Sequence, residues 1–262
     1  MEGKYLYCLI KEKKPKEFSV LGIEGAKVYS IPGGGLSVVV SDVEIKEYPI
    51  SRENTLTHQK VIEEAMEEYD VLPISFGTVA ESEKDVKEKM LKPRAKELLS
   101  ALEKIKGKIE LNLKAVWLDM PSIFQEILKE NKEIQLVKSQ ASTTSGIKRT
   151  NLAIAAGKII ARALEDKKEK EAEEILKPLK KIAEDFKENK TQSDQVIFNA
   201  AFLVLRKKEK EFDKEVLNLG EKYNKRIKFL YVGSLPPYNF IKLELSLNPA
   251  PFGRNSKLSG HF

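Results

Sequence analysis

The side chains best equipped for chemistry in this 262-residue sequence are two histidines, one cysteine and a run of paired glutamates. His58 stands inside a segment with helical periodicity, where an imidazole can serve as a general base or metal ligand near neutral pH. A lone histidine on a helix is more often a hydrogen-bonded structural residue, and His261 sits one position from the carboxyl end. Glu63-Glu64 and Glu67-Glu68 place two pairs of carboxylates one helical turn apart, an oxygen-rich set of the kind hard divalent cations take. No second helix carries matching carboxylates, so the four read as a solvated acidic face. Cys8 lies in an apolar run and reads as a small buried hydrophobe; a single cysteine makes neither an internal disulfide nor a thiolate metal cage. The phosphate-loop pattern G-x-x-x-x-G-K-[ST], the zinc pattern H-E-x-x-H and paired C-x-x-C are all missing. No catalytic residue, cofactor site or metal site is expected. An enzyme built on His58 and carboxylates is the alternative reading, and a nucleic-acid-binding ferredoxin-like module is another.

The charge balance bears on that last alternative. Forty-six basic against 40 acidic residues give a net charge of +6, and a basic chain can neutralise phosphates. Locally the excess dissolves. From Asp166 to Lys190 eight lysines face eight acids, the pattern of a solvated helical face. Arg206 to Lys228 is more basic, nine against five, but its charges flank Phe212, Val216, Leu217 and Tyr223 at helix-like steps. No nucleic-acid partner is expected. The longest charge-free stretch is the 14 residues from Val28 to Ser41, broken by Pro32 and three glycines, whereas a spanning helix needs ~20 apolar residues. With no leader-like start at Met1-Glu2-Gly3-Lys4, a cytoplasmic protein with no membrane partner is expected.

The elements that would position these residues follow from periodicity. Tyr5 to Lys11 reads as a strand. Lys27 to Ile31 and Leu36 to Val43 read as a hairpin around Pro32-Gly33-Gly34-Gly35; a phosphate-binding glycine loop would open into a helix, and Val38-Val39-Val40 follows instead. Glu53 to Tyr69 is an amphipathic helix. Val71 to Val79 is extended, and Pro73, lacking a backbone donor, restricts it to an edge strand or a bulge. A helix from Ser82 or Glu83 through Leu102 should bend or break near Lys92, ahead of Pro93.

Gly107 is the expected boundary, because the pattern then returns to period two in Ile109, Leu111, Leu113, Ala115 and Trp117. A short helix from Pro121, a loop from Ser142 to Gly146 and one long helix or two follow, with a kink at Pro178. Val196 to Leu205 reads as a central strand, Glu209 to Tyr223 as a helix, Ile227 to Val232 as a strand, Gly233 to Pro237 as a turn and Tyr238 to Leu245 as a final strand. The fold class is therefore α+β in two domains: an N-terminal domain over residues 1–106 and a C-terminal one over 107–247, a ferredoxin-like open-faced sandwich with a long helical insertion. Residues 248–262 form a flexible tail.

Two words in the chain are more specific than its periodicities. Leu72-Pro73-Ile74-Ser75-Phe76-Gly77-Thr78 has the form LP-x-x-FGT, and Gly233-Ser234-Leu235-Pro236-Pro237-Tyr238-Asn239-Phe240 the form G-x-x-PPY-x-F. With Tyr5-Leu6-Tyr7, the Leu21-Gly22-Ile23 step, the glycine turn before Leu36 to Val43, and His58-Gln59-Lys60-Val61-Ile62-Glu63, they occur in an order that resembles the gas vesicle protein F/L family over roughly residues 4 to 245. Ser234, Leu235 and the sequence after Leu247 depart from that pattern. The resemblance implies two α+β domains, no catalytic residues, and an accessory or minor structural role in assembling gas vesicles, the hollow protein shells that give cells buoyancy. It also implies contact with the strongly hydrophobic main shell protein, possible contact with other gas vesicle accessory proteins, and a cytoplasmic location associated with the vesicles. An accessory protein can shield such a partner by strand addition or by accepting an amphipathic helix. The candidate contact residues are Pro73 and Phe76 on the proline-containing edge, and Leu235, Pro236, Pro237 and Tyr238 in the second word, because aromatic side chains make good anchors.

Overall fold

The computed structural model describes residues 1–191 and 193–241. The chain divides into two compact units, Met1–Glu110 with the segment from Ser234 onward, and Leu111–Gly233.

In the first unit, strands β1 (Glu2–Ile10), β2 (Glu17–Leu21), β3 (Lys27–Gly33), β4 (Leu36–Glu44), β5 (Val71–Pro73) and β6 (Val79–Ala80) form one sheet. Its order is β2-β3-β4-β1-β5, with β6 also paired to β1. β1 lies inside the sheet, which explains why Tyr5 through Ile10 are all without exposure. The glycines after Pro32 form the expected hairpin: Gly33 pairs with Leu36, and Gly34 and Gly35 take φ of 64° and 90°. That left-handed geometry suits residues without a Cβ.

Helix α1 (Arg52–Glu68) begins at Ser51, whose hydroxyl accepts the Asn54 amide at 3.1 Å, and it buries His58, Val61, Ile62, Ala65 and Met66. A second helical layer comprises α2 (Glu83–Asp85), a wide π turn over Val86–Leu91, and α3 (Lys92–Ile105). Val86, Met90, Leu91, Leu98, Leu102 and Ile105 form a core with Leu6, Leu9, Val38, Val40 and Leu72. The break expected near Lys92 takes the form of that π turn. Pro93 then lies two residues past it, with Leu91 and Lys92 keeping helical φ/ψ, so a widened turn rather than a break accommodates the proline.

The second unit contains most of β7 (Lys108–Trp117), then α4 (Met120–Glu130), α5 (Lys132–Ser142), α6 (Gly146–Ile182), β8 (Asp185–Glu188), β9 (Val196–Leu205), α7 (Glu209–Tyr223) and β10 (Ile227–Leu235). The strands run in the order β10-β7-β9-β8. β9 is interior and buried at eight of its ten positions. Two elements go beyond the sequence reading. α5 buries only Ile134, and β8 is a charged edge whose Phe186 lies opposite Phe202, ring centres 5.2 Å apart. α6 continues as one helix through Pro178, near an end where Ile175, Leu176, Leu179 and Ile182 are all buried. Packing of that face offsets a penalty of about 3 kcal/mol for an interior proline.

The sequence also differs from the structure at the end of the second word. Tyr238 to Phe240, expected to open a strand, form a turn in which the Tyr238 amide donates to the Pro236 carbonyl at 2.7 Å and Phe240 to Pro237 at 3.1 Å. Consecutive prolines cannot donate to a ladder, so β10 ends before them. This turn belongs to the first unit, whereas a linear division at Gly107 would assign it to the second; a buried glutamate, Glu110, provides the physical reason below. The rest of the expected strand, from Lys242, and the tail from Asn248 lie outside the described residues.

Candidate functional site

The LP-x-x-FGT word bends around the aromatic face of β1. Pro73 pairs opposite Cys8 at the edge of the sheet, and the register of β1 against β4 shifts between Leu6 and Cys8. The chain then turns: the Ile74 amide donates to the Tyr7 carbonyl at 2.9 Å, the Thr78 hydroxyl to the Ser75 carbonyl at 2.7 Å, and the Gly77 amide to the Tyr5 hydroxyl at 2.9 Å. Gly77 takes φ of 80°. The turn seats Phe76 edge-on to Tyr5 and His58, with ring centres at 6.1 and 5.6 Å. Tyr7 lies 4.9 Å from Tyr5 and 5.5 Å from His58, and Tyr48 stands edge-on to Tyr5 at 5.5 Å, completing a cluster of five rings. Tilted and edge-to-face arrangements of this kind add to the gain from burial.

His58 is the hinge of that cluster. One ring nitrogen donates to the Ile74 carbonyl; the other, Nδ1, is buried without a partner. Burial disfavours the imidazolium and, against the opposing effect of the Ile74 carbonyl, lowers the pKa to about 4. His58 is thus a neutral structural ring at physiological pH. The Tyr7 hydroxyl receives the Ile23 amide at 2.8 Å and shares a 2.8 Å hydrogen bond with Ser41. Gly22 is required here, because a Cβ at that position would come within 2.3 Å of the Tyr7 oxygen. Cys8 is buried, and desolvation pushes its thiol up, away from the thiolate a nucleophile needs.

The acidic run on α1 is largely committed to structure. Glu64 accepts the Ser19 amide and hydroxyl at 2.7 and 2.8 Å and the Val20 amide at 2.8 Å, while Glu68 pairs with Lys16. Desolvation opposes ionisation of Glu64, but the bonds from Ser19 and Val20 outweigh it and hold the carboxyl below its usual range. Among the described residues no group of three or more His, Cys, Asp or Glu side chains is arranged to hold a metal ion.

The second word docks on the same unit. The Asn239 amide donates to Glu110 Oε2 at 2.7 Å and its side-chain amide to Oε1 at 2.6 Å. Glu110 has no exposure, so these bonds supply partners to a carboxyl group that would be costly to bury without them. The Tyr238 hydroxyl comes within electrostatic reach of Cys8, Glu110 and Glu63, and desolvation, the largest effect, holds its proton on. The residue as a whole is 39 % exposed, with the hydroxyl end its covered part.

The two words are anchored at different places: Pro73 pairs across from Cys8 on β1, whereas Asn239 binds Glu110 near the start of β7. Of the six residues singled out in the sequence, Pro73, Pro236 and Pro237 are buried, Phe76 and Leu235 half-buried, and Tyr238 exposed.

One arrangement in the second unit carried no signal in the sequence. Arg226, just before β10, binds Glu126 of α4 through two bonds of 2.7 and 2.9 Å and Glu171 of α6 at 2.6 Å. The Trp117 indole also donates to Glu171 at 2.8 Å, and Lys167 pairs with Glu126 at 3.0 Å. Hydrogen bonding from Arg226 leads the causes that lower the Glu126 pKa to about 2. Planar bidentate pairing is what the guanidinium provides and lysine does not.

These features define a two-sheet α+β protein in which the first word is bound to β1 and the second to Glu110 near the start of β7. The same fold occurs in crystal structures of the gas vesicle protein GvpF: that from Anabaena sp. PCC7120 has a TM-score of 0.84 at 25 % identity, covering 94 % of this chain and 100 % of that one. The structure from Microcystis aeruginosa has a TM-score of 0.80 at 26 % identity, covering 92 % and 99 %. The family model for the gas vesicle synthesis proteins GvpL/GvpF matches residues 3–242, and the chain belongs to that family. In sequence it is 26 % identical over 243 residues to gas vesicle protein F of Nostoc sp. strain PCC 7120, covering 92 % of this chain and 98 % of that protein. It is likewise 26 % identical over 257 residues to gas vesicle protein F1 of Halobacterium salinarum, covering 97 % and 99 %. These relatives are named for the gas vesicle and not for a reaction. Among the described residues no helix is long and apolar enough to cross a membrane.

Proposed function

We propose that this protein supports gas vesicle assembly by binding the hydrophobic main shell protein, and that it works as a non-enzymatic accessory or minor structural component in the cytoplasm, alongside other gas vesicle proteins. Family membership across residues 3–242 carries this reading. Tyr238, Phe76 and Leu235 are the proposed contact side chains, with Pro73, Pro236 and Pro237 fixing the backbone beneath them. The partial exposure of Tyr238 and of Phe76 supports that choice, since interfaces concentrate their binding energy in a few aromatic anchors. In the second unit we propose a ferredoxin-like sandwich. Numbered within the unit, its four strands run 4-1-3-2, with helices after the first and third strands.

Co-expression with the shell protein tests the binding. Tyr238→Ala and Phe76→Ala should each lower recovery of shell protein at least about tenfold, with circular-dichroism spectra unchanged. Full recovery by both folded variants removes these residues from the contact. Vesicle formation scored by microscopy in cells lacking the gene tests the role itself, and undiminished vesicles would defeat it.

A further inference from the structure

The hairpin of α5 and α6 stands apart from the rest of the second unit in both packing and charge. The two helices pack on each other, yet α5 buries only Ile134, and α6 buries nothing before Leu164. Residues 132–163 contain Lys132, Lys138, Lys148, Arg149, Lys158 and Arg162 against the single acid Glu133. Six minus one is +5, nearly the whole net charge of +6 carried by the chain. Among the described residues none of these six cations makes an ion pair, although Lys167 and Lys168, just beyond the stretch on α6, are both paired.

Large aliphatic side chains accompany the cations. Leu136 is 64 %, Ile147 81 % and Ile154 56 % exposed. On α6, Ile147, Asn151, Ile154, Lys158 and Arg162 recur at steps of four, three, four and four, which place them along one side of the helix. Leu152, Ala156, Ile159 and Ala163 are half-buried and mark a separate stripe. A face that is apolar at Ile147 and Ile154, flanked by Lys148 about 100° round the helix and cationic at Lys158 and Arg162, has the spacing of a helix-pairing seam and the charge to select an acidic partner.

We infer that this face of α6 docks an acidic amphipathic helix of a partner protein, whose apolar stripe covers Ile147 and Ile154 and whose carboxylates meet Lys148, Lys158 and Arg162. Two other polyanions fit less well. Residues 132–163 contain no aromatic side chain, so the hairpin has no ring on which to stack bases. Nor has it the tryptophan or phenylalanine that typically seats a helix in a lipid interface. The inference does not depend on Tyr238 or Phe76.

The test uses the full-length protein and a labelled synthetic helix of four heptads, with leucine at the a and d positions and glutamate at e and g. Its lysine counterpart, phosphatidylglycerol vesicles and a mixed-sequence oligonucleotide serve as competitors. The acidic helix should bind and weaken with added salt. Ile147→Ser with Ile154→Ser, and separately Lys148→Glu with Lys158→Glu and Arg162→Glu, should each reduce affinity at least about tenfold. These positions are exposed or carry no buried contact, and circular dichroism checks that folding is intact. Leu217→Ser, at an exposed apolar residue on α7, should change nothing. No binding of the acidic helix, equal binding of the lysine helix, insensitivity to either set of substitutions, loss in Leu217→Ser, or preference for vesicles or oligonucleotide would each overturn the inference.

Discussion

The two units attach helices to their sheets by chemically opposite means. In the first, α1 meets β1 through neutral rings: His58 lies among Tyr5, Tyr7 and Phe76, with one hydrogen bond to Ile74. In the second, α4 and α6 are tied together through Arg226, which divides its guanidinium between Glu126 and Glu171. The ring cluster depends on keeping a proton off a buried base. The ion-paired cluster depends on keeping a proton off the partly covered Glu126. Both weaken in acid, but in different pH windows, and only one should respond to salt.

The largest expected effect tests the ring cluster. In the unfolded chain His58 takes up a proton near the ordinary imidazole value of 6.5, whereas in the folded protein it resists until about pH 4. The stabilisation is therefore complete above pH 6.5 and is lost as pH falls through 4, at about 1.4 kcal/mol per unit, or about 3 kcal/mol in all. His58→Phe should flatten that slope in urea titrations followed by circular dichroism, at a cost of about 1 kcal/mol at pH 7 for the lost bond to Ile74. An unchanged slope would show that some other group governs the acid response.

Next in size is Arg226→Ala. It leaves Glu126 and Glu171 facing each other without their shared cation, and about 2 kcal/mol of stability should go, less than for a fully buried pair because Arg226 is 32 % exposed. Trp117, the single tryptophan and a partner of Glu171, provides the local fluorescence signal. If its transition does not move, the arginine is ornamental.

Two smaller effects complete the contrast. Glu126 has its pKa lowered to about 2, so its contribution is present above pH 4.5 and disappears as pH falls through 2; allowing for solvent screening, this is about 1 kcal/mol. Raising salt to ~1 M should shift the Trp117 transition by less than about 1 kcal/mol and leave the acid slope of His58 untouched. Equal salt sensitivity in the two units would erase the distinction drawn between them.

Local rules accounted for the parts of the fold that local residues decide. Gly34 and Gly35 announce a hairpin, Pro73 an edge, Pro93 a disruption in the helix before it, and the alternation from Ile109 to Trp117 a half-buried strand. Elements with little apolar content were not legible: α5 buries one side chain, and β8 is charged at three of its four positions. Long-range pairings were hidden for a different reason. Arg226 lies 55 residues from Glu171 and 100 from Glu126, and each reads singly as one more surface charge. Asn239 and Glu110, 129 apart, gave no hint that the second word returns to the first unit. His58 was visible as a residue able to do chemistry, but only the rings around it show that its environment suppresses that capacity.

The sheet of the first unit is closed to newcomers at both ends. On one side Glu64 already occupies the Ser19 and Val20 amides of β2; on the other, β5 terminates in Pro73, which has no amide to offer. With one edge occupied by a carboxylate and the other ending in a proline, neither side of this sheet offers a long free row of amides for a further strand to pair with.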